Sequence, residues 1–568
     1  MEVTSRGGPS ADVAAGAKIA VVACLLFILV KLPLLVLAAL RARIVMDEFF
    51  QGAISIVVPD GFYHGYDPIK TVLYAYVFDV ARRVTHDAAS LMLAARVEGL
   101  VLALIVAFLV GWMGKRLGRT TPETLFAVAV LLSFSNFMER SFRVRSDSVS
   151  VFFIAGAMTA ATWPGASAAA VSGVLAGAAF LSTQKAAFAV AALGIGWVSG
   201  ALRPASKTRA YGEALAFAAG FALAVLGYAA WFGGFGTGAL AVVRMVFLSP
   251  LDFAARSLTY YSGLELYVTQ TLERNVLPYA LCAAGVLLAT LRIRELSDAA
   301  RRLLIVALVV PPCVFFGVQT WPYVFVLPIV VLAVFSPEVP RFVARRAPGL
   351  AAPVLLILLA GLAFSLARNV RYLRASNEDQ LSIVRVVENL LGPEDRYLDG
   401  TWMIATRRHA GKIWWDAQGI RAIVESANRG DFTELDAAFA EQPKVVILNY
   451  RTQTLGPLLA RYVVRSYVRA APNALLSGIQ IDGTGEVLFE NRWAGRYRLY
   501  DAKGRLRDAA FRLDGDVVVG DVLVGLGPHR LALRDSTGPA FLLPAGLSLP
   551  GSLPETRPPE DVFRGVYD

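Results

Sequence analysis

Long apolar runs separated by short polar loops fill the first two thirds of the chain. The first, residues 17–40, reads AKIAVVACLLFILVKLPLLVLAAL. As a helix rising about 1.5 Å per residue it extends about 36 Å, enough to cross a hydrocarbon core of about 30 Å. Similar runs near 90–113, 122–138, 147–163, 167–183, 186–201, 212–233, 276–291, 302–318, 321–337 and 350–367 bring the expectation to about eleven spans. Those at 122–138, 167–183 and 186–201 are short or rich in Gly and Ala, which blurs their ends. In the first long loop, 41–89, the stretches 46–58 and 70–84 read as short helices lying along the membrane, joined by the turn-rich PDGFYHGYDP.

Beyond residue 369 the pattern changes. Residues 380–470 read as a small α/β unit, with a helix in QLSIVRVVENLLG, a strand in KVVILNY (444–450) and a helix in LGPLLARYVVRSY. From about 475 short strands dominate (GEVLFE, RYRLY, GDVVVGDVLVGL, RLALRD), cut by Gly and Asp turns, and a β-sandwich is expected there. The fold class expected is therefore a polytopic α-helical membrane protein with outer-face juxtamembrane helices and a C-terminal mixed α/β and β-rich extracytoplasmic region. The segments read as 1–368 for the transmembrane module, 369–474 for the α/β unit and 475–568 for the β-rich unit.

Composition agrees with this reading. Of 568 residues, 56% are hydrophobic and only 17% charged, against about 25% charged in soluble chains. The formal charge of +11 is not a nucleic-acid footprint, because many of the positives sit in short loops between spans: KRLGR (115–119), RPASKTR (203–209), RIRELSDAARR (292–302) and RFVARR (341–346). That is the positive-inside pattern of cytoplasmic loops. With the N-terminus in the cytoplasm, eleven spans put the C-terminus outside and these loops inside. The first run is longer than the 7–15 residues of a signal-peptide core, so a cleaved leader is not expected. Cys24, Cys282 and Cys313 all lie in or beside apolar runs, which argues against a disulfide framework or a thiolate metal site.

Against this background the acidic pair Asp47-Glu48 is out of place. It follows the first span directly, where headgroup surfaces favour Lys, Arg, Trp and Tyr. The outer loop MERSFRVRSDS (138–148) carries Arg140, Arg143 and Arg145 on the face where positives are disfavoured. Glu139/Arg143 and Arg143/Asp147 are each four apart and form helical ion pairs on one reading. On the other, favoured, reading the guanidinium groups bind phosphate oxygens. Gln184-Lys185 interrupts two apolar stretches at another outer boundary, where a Lys either snorkels or serves a site. Lys70 is a further outer cation, preceded by Tyr63, His64, Tyr66 and Asp67. Gln319, Trp321 and Tyr323 lie in the outer turn GVQTWPY, read first as an aromatic belt and second as substrate lining. In 234–275, Asp252, Arg256, Tyr260, Tyr261 and Glu265 form one face of a lid helix or of a plain amphipathic one.

The topology brings Asp47, Glu48, Lys70, Arg143, Arg145, Asp147 and Lys185 to one membrane face. A carboxylate base and a set of cations suit attack by an acceptor on a carbon whose leaving group is a phosphate: the base takes the acceptor's proton and the cations stabilise the departing charge.

The motifs MDEFFQG after the first span, the following Tyr/His/Asp-Pro loop, FMERSFRVRSDS and LSTQKAAF resemble those of the C-type membrane glycosyltransferases, especially the family 39-like branch of protein O-mannosyltransferases and lipid A aminoarabinose transferases. The resemblance covers residues 17–367 in layout, and its motifs are short. It implies a sugar donor on polyprenyl phosphate used at the outer face of the cytoplasmic (inner) membrane, Asp47 as catalytic base with Glu48 beside it, and Lys70, Arg143, Arg145 and Lys185 on the donor phosphate. It implies transfer with inversion to a lipid, glycan or protein acceptor. No cofactor is expected, and the adjacent carboxylate pair argues against a metal site without excluding a divalent ion. The alternative is a multi-span transporter or flippase of a lipid-linked or anionic substrate, against which stands the lack of inverted repeats or paired broken helices in the sequence. A polysaccharide polymerase or ligase of another fold and a non-catalytic envelope scaffold are further readings.

Overall fold

The computed structural model describes residues 11–57, 71–200, 207–233, 238–248, 265–317, 320–411, 417–471, 473–482, 485–501, 503–533, 538–547 and 562–563. Each of the eleven apolar stretches contains a helix, from Ala11–Arg41 to Ala351–Asn369. Among the described residues five helices are long and apolar enough to cross a membrane, or six if the pair Glu265–Arg274 and Val276–Leu291, bent by 90°, counts as one span; Thr121–Ser133, Ser146–Ala160 and Ala166–Ser182 are apolar but shorter. Large apolar side chains stand exposed along these helices, among them Phe108, Leu215, Leu287 and Ile357. Water would not tolerate so much apolar surface, and lipid favours it. The chain is a membrane protein, mostly helical, with a β-rich C-terminal region.

The chain divides into two compact units. The first comprises Met1–Ala42, Val57–Val80 and Ala95–Ala375. Its helix Val326–Phe335 is apolar on every side, and all ten residues are buried. Elsewhere small residues let helices approach closely: a Cβ on Gly173 would lie 2.0 Å from the Phe217 carbonyl oxygen, and one on Gly220 2.2 Å from that of Ala170. Helices Ala166–Ser182 and Lys207–Phe232 thus meet backbone to backbone, which lipid-embedded helices use where apolar burial gives no driving force. Polar contacts also cross this interior. Lys31, fully buried within the first apolar run, donates to Asn369 Oδ1 at 2.6 Å. Arg302 pairs with Glu213 at 2.7 Å and lies over the Trp197 ring.

The second unit comprises Arg43–Ile56, Ala81–Ala94 and Ser376–Asp568. Most of the first loop's described part therefore belongs with the C-terminal region. A five-stranded sheet holds β1 (Arg396–Leu398), β2 (Arg408–His409), β3 (Val445–Ile447), β4 (Tyr467–Ala471) and β5 (Ala474–Ser477), in the order β2-β1-β3-β5-β4. β1 runs parallel to both β2 and β3, and β5 antiparallel to β3 and β4. The helices Ala417–Asn428, Thr433–Ala440 and Gly456–Val463 supply Ile420, Leu435, Phe439 and Leu459 to its core beside Leu398 and Val446.

Two antiparallel four-stranded sheets follow. One is β10 (Asp516–Val518), β9 (Phe511–Leu513), β12 (Gly527–Leu533) and β7 (Glu486–Asn491). The other is β11 (Val522–Val524), β8 (Gly495–Asp501), β13 (Ala540–Pro544) and β6 (Ile479–Ile481). They share one core of Ile481, Phe489, Tyr497, Leu499, Phe511, Leu531 and Leu542, drawn from the inward positions of both sheets.

Candidate functional site

Asp47 and Glu48 open the helix Met46–Val57, and they are used differently. Glu48 is fully buried; its Oε1 accepts the Val45 N–H at 3.0 Å, while its own N–H donates to the Val45 carbonyl at 2.8 Å. This reciprocal pairing starts the helix, and a carboxylate in the first turn also suits the helix dipole. Asp47 is instead the carboxylate that reaches outward: its Oδ1 accepts from Arg451 Nη2 at 2.9 Å. Its side chain is 20% exposed and that of Arg451 5%. The stretch leading into this helix is held by an amide clamp, with Ile44 N–H donating to Gln380 Oε1 at 2.7 Å and Gln380 Nε2 donating to the Ile44 carbonyl at 2.9 Å.

Arg451 was not among the residues picked from the sequence. It sits in the short helix Tyr450–Thr454, which begins where β3 ends. Asn449 caps that helix, its Oδ1 accepting the N–H groups of Arg451 and Thr452 at 2.9 and 3.1 Å. Asn449 Nδ2 donates to the Asp399 carbonyl at 2.6 Å, bracing the turn against the loop that leaves β1. In that loop the buried Asp399 carboxylate accepts the N–H groups of Thr401, Trp402 and Met403 at 2.6–2.8 Å. His409 Nε2 lies 3.0 Å from Asp399 Oδ1. Trp402 is held at φ 54°, a left-handed conformation rare for a bulky residue. Arg451 itself donates to Tyr450 Oη at 2.9 Å and to the Gly400 carbonyl at 3.4 Å. All of this lies at the carboxyl ends of the neighbouring parallel strands β1 and β3, where α/β sheets bind ligands. A strand, then Asn-Tyr-Arg-Thr, was the sequence signal available for it.

In the first unit the arginines of 138–148 are nearly sealed: Arg140, Arg143 and Arg145 are 7%, 8% and 3% exposed. The helix breaks after Arg140 and resumes at Ser146, so residues four apart here do not share a helix face. Glu139 pairs with Arg371 and, at 3.8 Å, with Arg274; Arg143 Nε donates to the Glu139 carbonyl at 2.8 Å. The intervening loop rests on the helix Ala88–Arg116 at Gly99, where a Cβ would lie 2.1 Å from the Phe142 carbonyl oxygen. Arg96, on the same helix, has its guanidinium 5.7 Å from the Phe142 ring centroid and donates to the carbonyls of Ala39 and Ala42.

Three separate parts of the chain then converge. Asp147, in the first turn of Ser146–Ala160, lies 3.5 Å from both Arg145 Nε and Lys185 Nζ. Both cations face one ring: the Arg145 guanidinium is 3.7 Å and Lys185 Nζ 4.3 Å from the Tyr323 centroid. Tyr323 is buried, stacked 6.4 Å from Trp321, which stacks in turn on Tyr267 at 6.1 Å. The turn carrying Tyr323 is fixed by Asn136 Nδ2 donating to the Pro322 carbonyl at 3.1 Å. Two cations, one carboxylate and a π face leave a local charge of one positive, an arrangement able to hold an anion. Half-buried Gln184 precedes Lys185 in the 3₁₀ turn Gln184–Ala186. Lys70, Tyr63, His64, Asp67 and Gln319 lie outside the described residues, as do Asp252, Arg256, Tyr260 and Tyr261. Among the described residues no group of three or more His, Cys, Asp or Glu is placed to hold a metal ion.

Residues 427–476, which include Asn449 and Arg451, match a family described as a domain of unknown function, DUF7056. No curated protein matches the chain. Among solved structures it is similar to the Archaeoglobus fulgidus oligosaccharyltransferase in the apo form, at 13% identity over 88% of this chain and 76% of that one, with a TM-score of 0.47. The complex of that oligosaccharyltransferase with Zn and sulfate gives 12%, 89%, 75% and 0.47. The archaeal oligosaccharyltransferase AglB from Archaeoglobus fulgidus, bound to an inhibitory peptide and a dolichol-phosphate, gives 12%, 88%, 76% and 0.44.

Proposed function

We propose that this chain is a membrane glycosyltransferase that moves a sugar from a polyprenyl-phosphate donor to a lipid, glycan or protein acceptor at the outer face of the cytoplasmic membrane. On this reading eleven spans cross the bilayer, the N-terminus is cytoplasmic, and the C-terminal region is extracytoplasmic. The observation that carries the proposal is the convergence of Arg145 and Lys185 on the Tyr323 ring with Asp147 3.5 Å from both, a largely buried cationic cluster at loop ends read as outer, where the positive-inside rule disfavours cations.

The chemistry is a single displacement. The acceptor oxygen or nitrogen forms a bond to the anomeric carbon, its proton passes to Asp47, and the bond from that carbon to the phosphate oxygen breaks with inversion. Polyprenyl phosphate leaves with the electron pair, its charge met by Arg145 and Lys185, with Arg143 and Lys70 assigned to the same phosphate. Glu48 holds the start of the helix that presents Asp47. Gln184, Trp321 and Tyr323 line the donor side, and Tyr63, His64, Asp67 and Gln319 are assigned to substrate lining from the sequence. A divalent ion remains compatible with this scheme, which routes no step through one.

The test is mass spectrometry of envelope glycans and lipids in a deletion strain, which should lack one hexose, pentose or uronic acid. Asp47→Asn, accumulating normally in the membrane, should restore that product at a rate lower by at least about 100-fold than the unaltered chain. Near-normal restoration refutes the assignment; a transporter would survive this near-isosteric change.

A further inference from the structure

We infer that Arg451 is the positioning residue for Asp47, so that the C-terminal unit supplies part of the machinery for transfer. The inference rests on the proposed role of Asp47 and deepens it, because neither the sequence nor that role assigns anything to the C-terminal 200 or so residues. It joins residues 404 positions apart through one charged hydrogen bond of 2.9 Å.

Burial distinguishes this pair from an ordinary ion pair. Exposed pairs fix little, because both side chains remain free to move and water competes. Fully buried pairs shut both groups away from any substrate. Here the Arg451 side chain is 5% exposed while that of Asp47 retains 20%. The cation is locked and the anion is reachable, which is the asymmetry wanted of a clamp on a reacting group. The planar fork of Arg451 is itself held from two further sides, by Tyr450 Oη and the Gly400 carbonyl.

The support behind the clamp is equally built. Asn449 caps the helix that carries Arg451 and also ties it to the Asp399 loop. That loop keeps Trp402 in a left-handed conformation against three backbone hydrogen bonds to one carboxylate. Strain of this kind persists where the surroundings over-determine it, and it gathers at working sites. Arg451 holds the Asp47 carboxylate through Oδ1. Fixing one oxygen sets the orientation of the whole carboxylate, and orientation is what a general base requires.

The experiment uses membrane vesicles from the deletion strain carrying full-length variants, with their endogenous donor and acceptor, and reads the missing product by mass spectrometry per amount of membrane protein. Arg451→Gln should lower the transfer rate about 10- to 100-fold, the scale for a misdirected catalytic group. Arg451→Lys should recover part of that loss by keeping a cation near Oδ1. Millimolar guanidinium chloride should raise the rate of Arg451→Ala several-fold and leave Asp47→Asn unchanged. A residue that merely stabilises the fold gives none of this rescue. An Arg451→Gln chain at normal rate beside an inactive Asp47→Asn overturns the inference alone, as does an Arg451→Ala chain that ignores guanidinium. An active Asp47→Asn overturns the proposed function itself. If Arg451→Gln fails to accumulate, Arg451→Lys and the guanidinium response decide.

Discussion

Removing the Tyr323 ring tests the proposed anion site from the side of donor binding. Each cation over an aromatic face contributes about 0.5–2 kcal/mol, the upper end applying when the pair is shut off from water. The Arg145 side chain is 4% exposed and lies 3.7 Å from the centroid, so it belongs near the upper end. Lys185 is 27% exposed at 4.3 Å and belongs near the lower. Together the ring holds the two cations in place by about 2 kcal/mol, and about 1.4 kcal/mol corresponds to a factor of ten. Tyr323→Leu should therefore raise the KM for the lipid-phosphate donor about 10- to 30-fold, with kcat changed far less, while Tyr323→Phe, which keeps the π face, stays near normal. The assay is initial-rate kinetics in vesicles with titrated, radiolabelled polyprenyl-phosphate mannose or aminoarabinose, whichever the vesicles transfer. Leu and Phe variants with equal KM values would refute the reasoning, as would a Leu variant defective in kcat alone.

Two further outcomes follow from single features. Gly99→Ala must displace the Phe142 carbonyl, since backbone cannot yield as a side-chain tip does; it should cost transfer about tenfold or more, the scale of a displaced site loop, with normal membrane insertion checked by expression and thermal unfolding. Burial pushes the phenols of Tyr397, Tyr467 and Tyr497 above the ordinary tyrosine value of about 10. The folded C-terminal unit holds these protons while the unfolded chain releases them near pH 10, so the stabilisation is complete below that pH and is lost as pH rises towards the folded values. Phenolate absorbance should show these three titrating only with unfolding, and their titration in a still-folded protein would contradict the burial.

The helices were legible because a run of some twenty apolar residues has few other uses, and because Pro, Gly and charge mark its ends. The break between Arg140 and Ser146 was not, since Ser-Phe-Arg-Val-Arg carries no helix-breaking residue. What breaks it is tertiary: the chain settles onto Gly99 of a helix forty residues away, a contact no local pattern encodes. Arg145, Asp147 and Lys185 stood out because charge at a span boundary is costly. Tyr323 was placed first in an interfacial belt, yet it is buried beneath two cations, because a ring's partners depend on which loop ends meet. Lys31 passed unnoticed inside a run whose average hydropathy hid it; its partner Asn369 lies at the end of the last apolar helix. Arg451 passed unnoticed for the opposite reason, being one arginine among many in a polar region.

Membership of Arg43–Ile56 in the same compact unit as residues 376–568 bears on how such proteins can be recombined. A tail grafted from a relative onto this membrane module would arrive without the segment it grew up with, and the orphaned 43–56 stretch would face an unfamiliar host. Exchange of working tails should therefore require that segment, and with it Ala81–Ala94 of the same unit, to travel with them, as a three-piece cassette cut from distant parts of the gene.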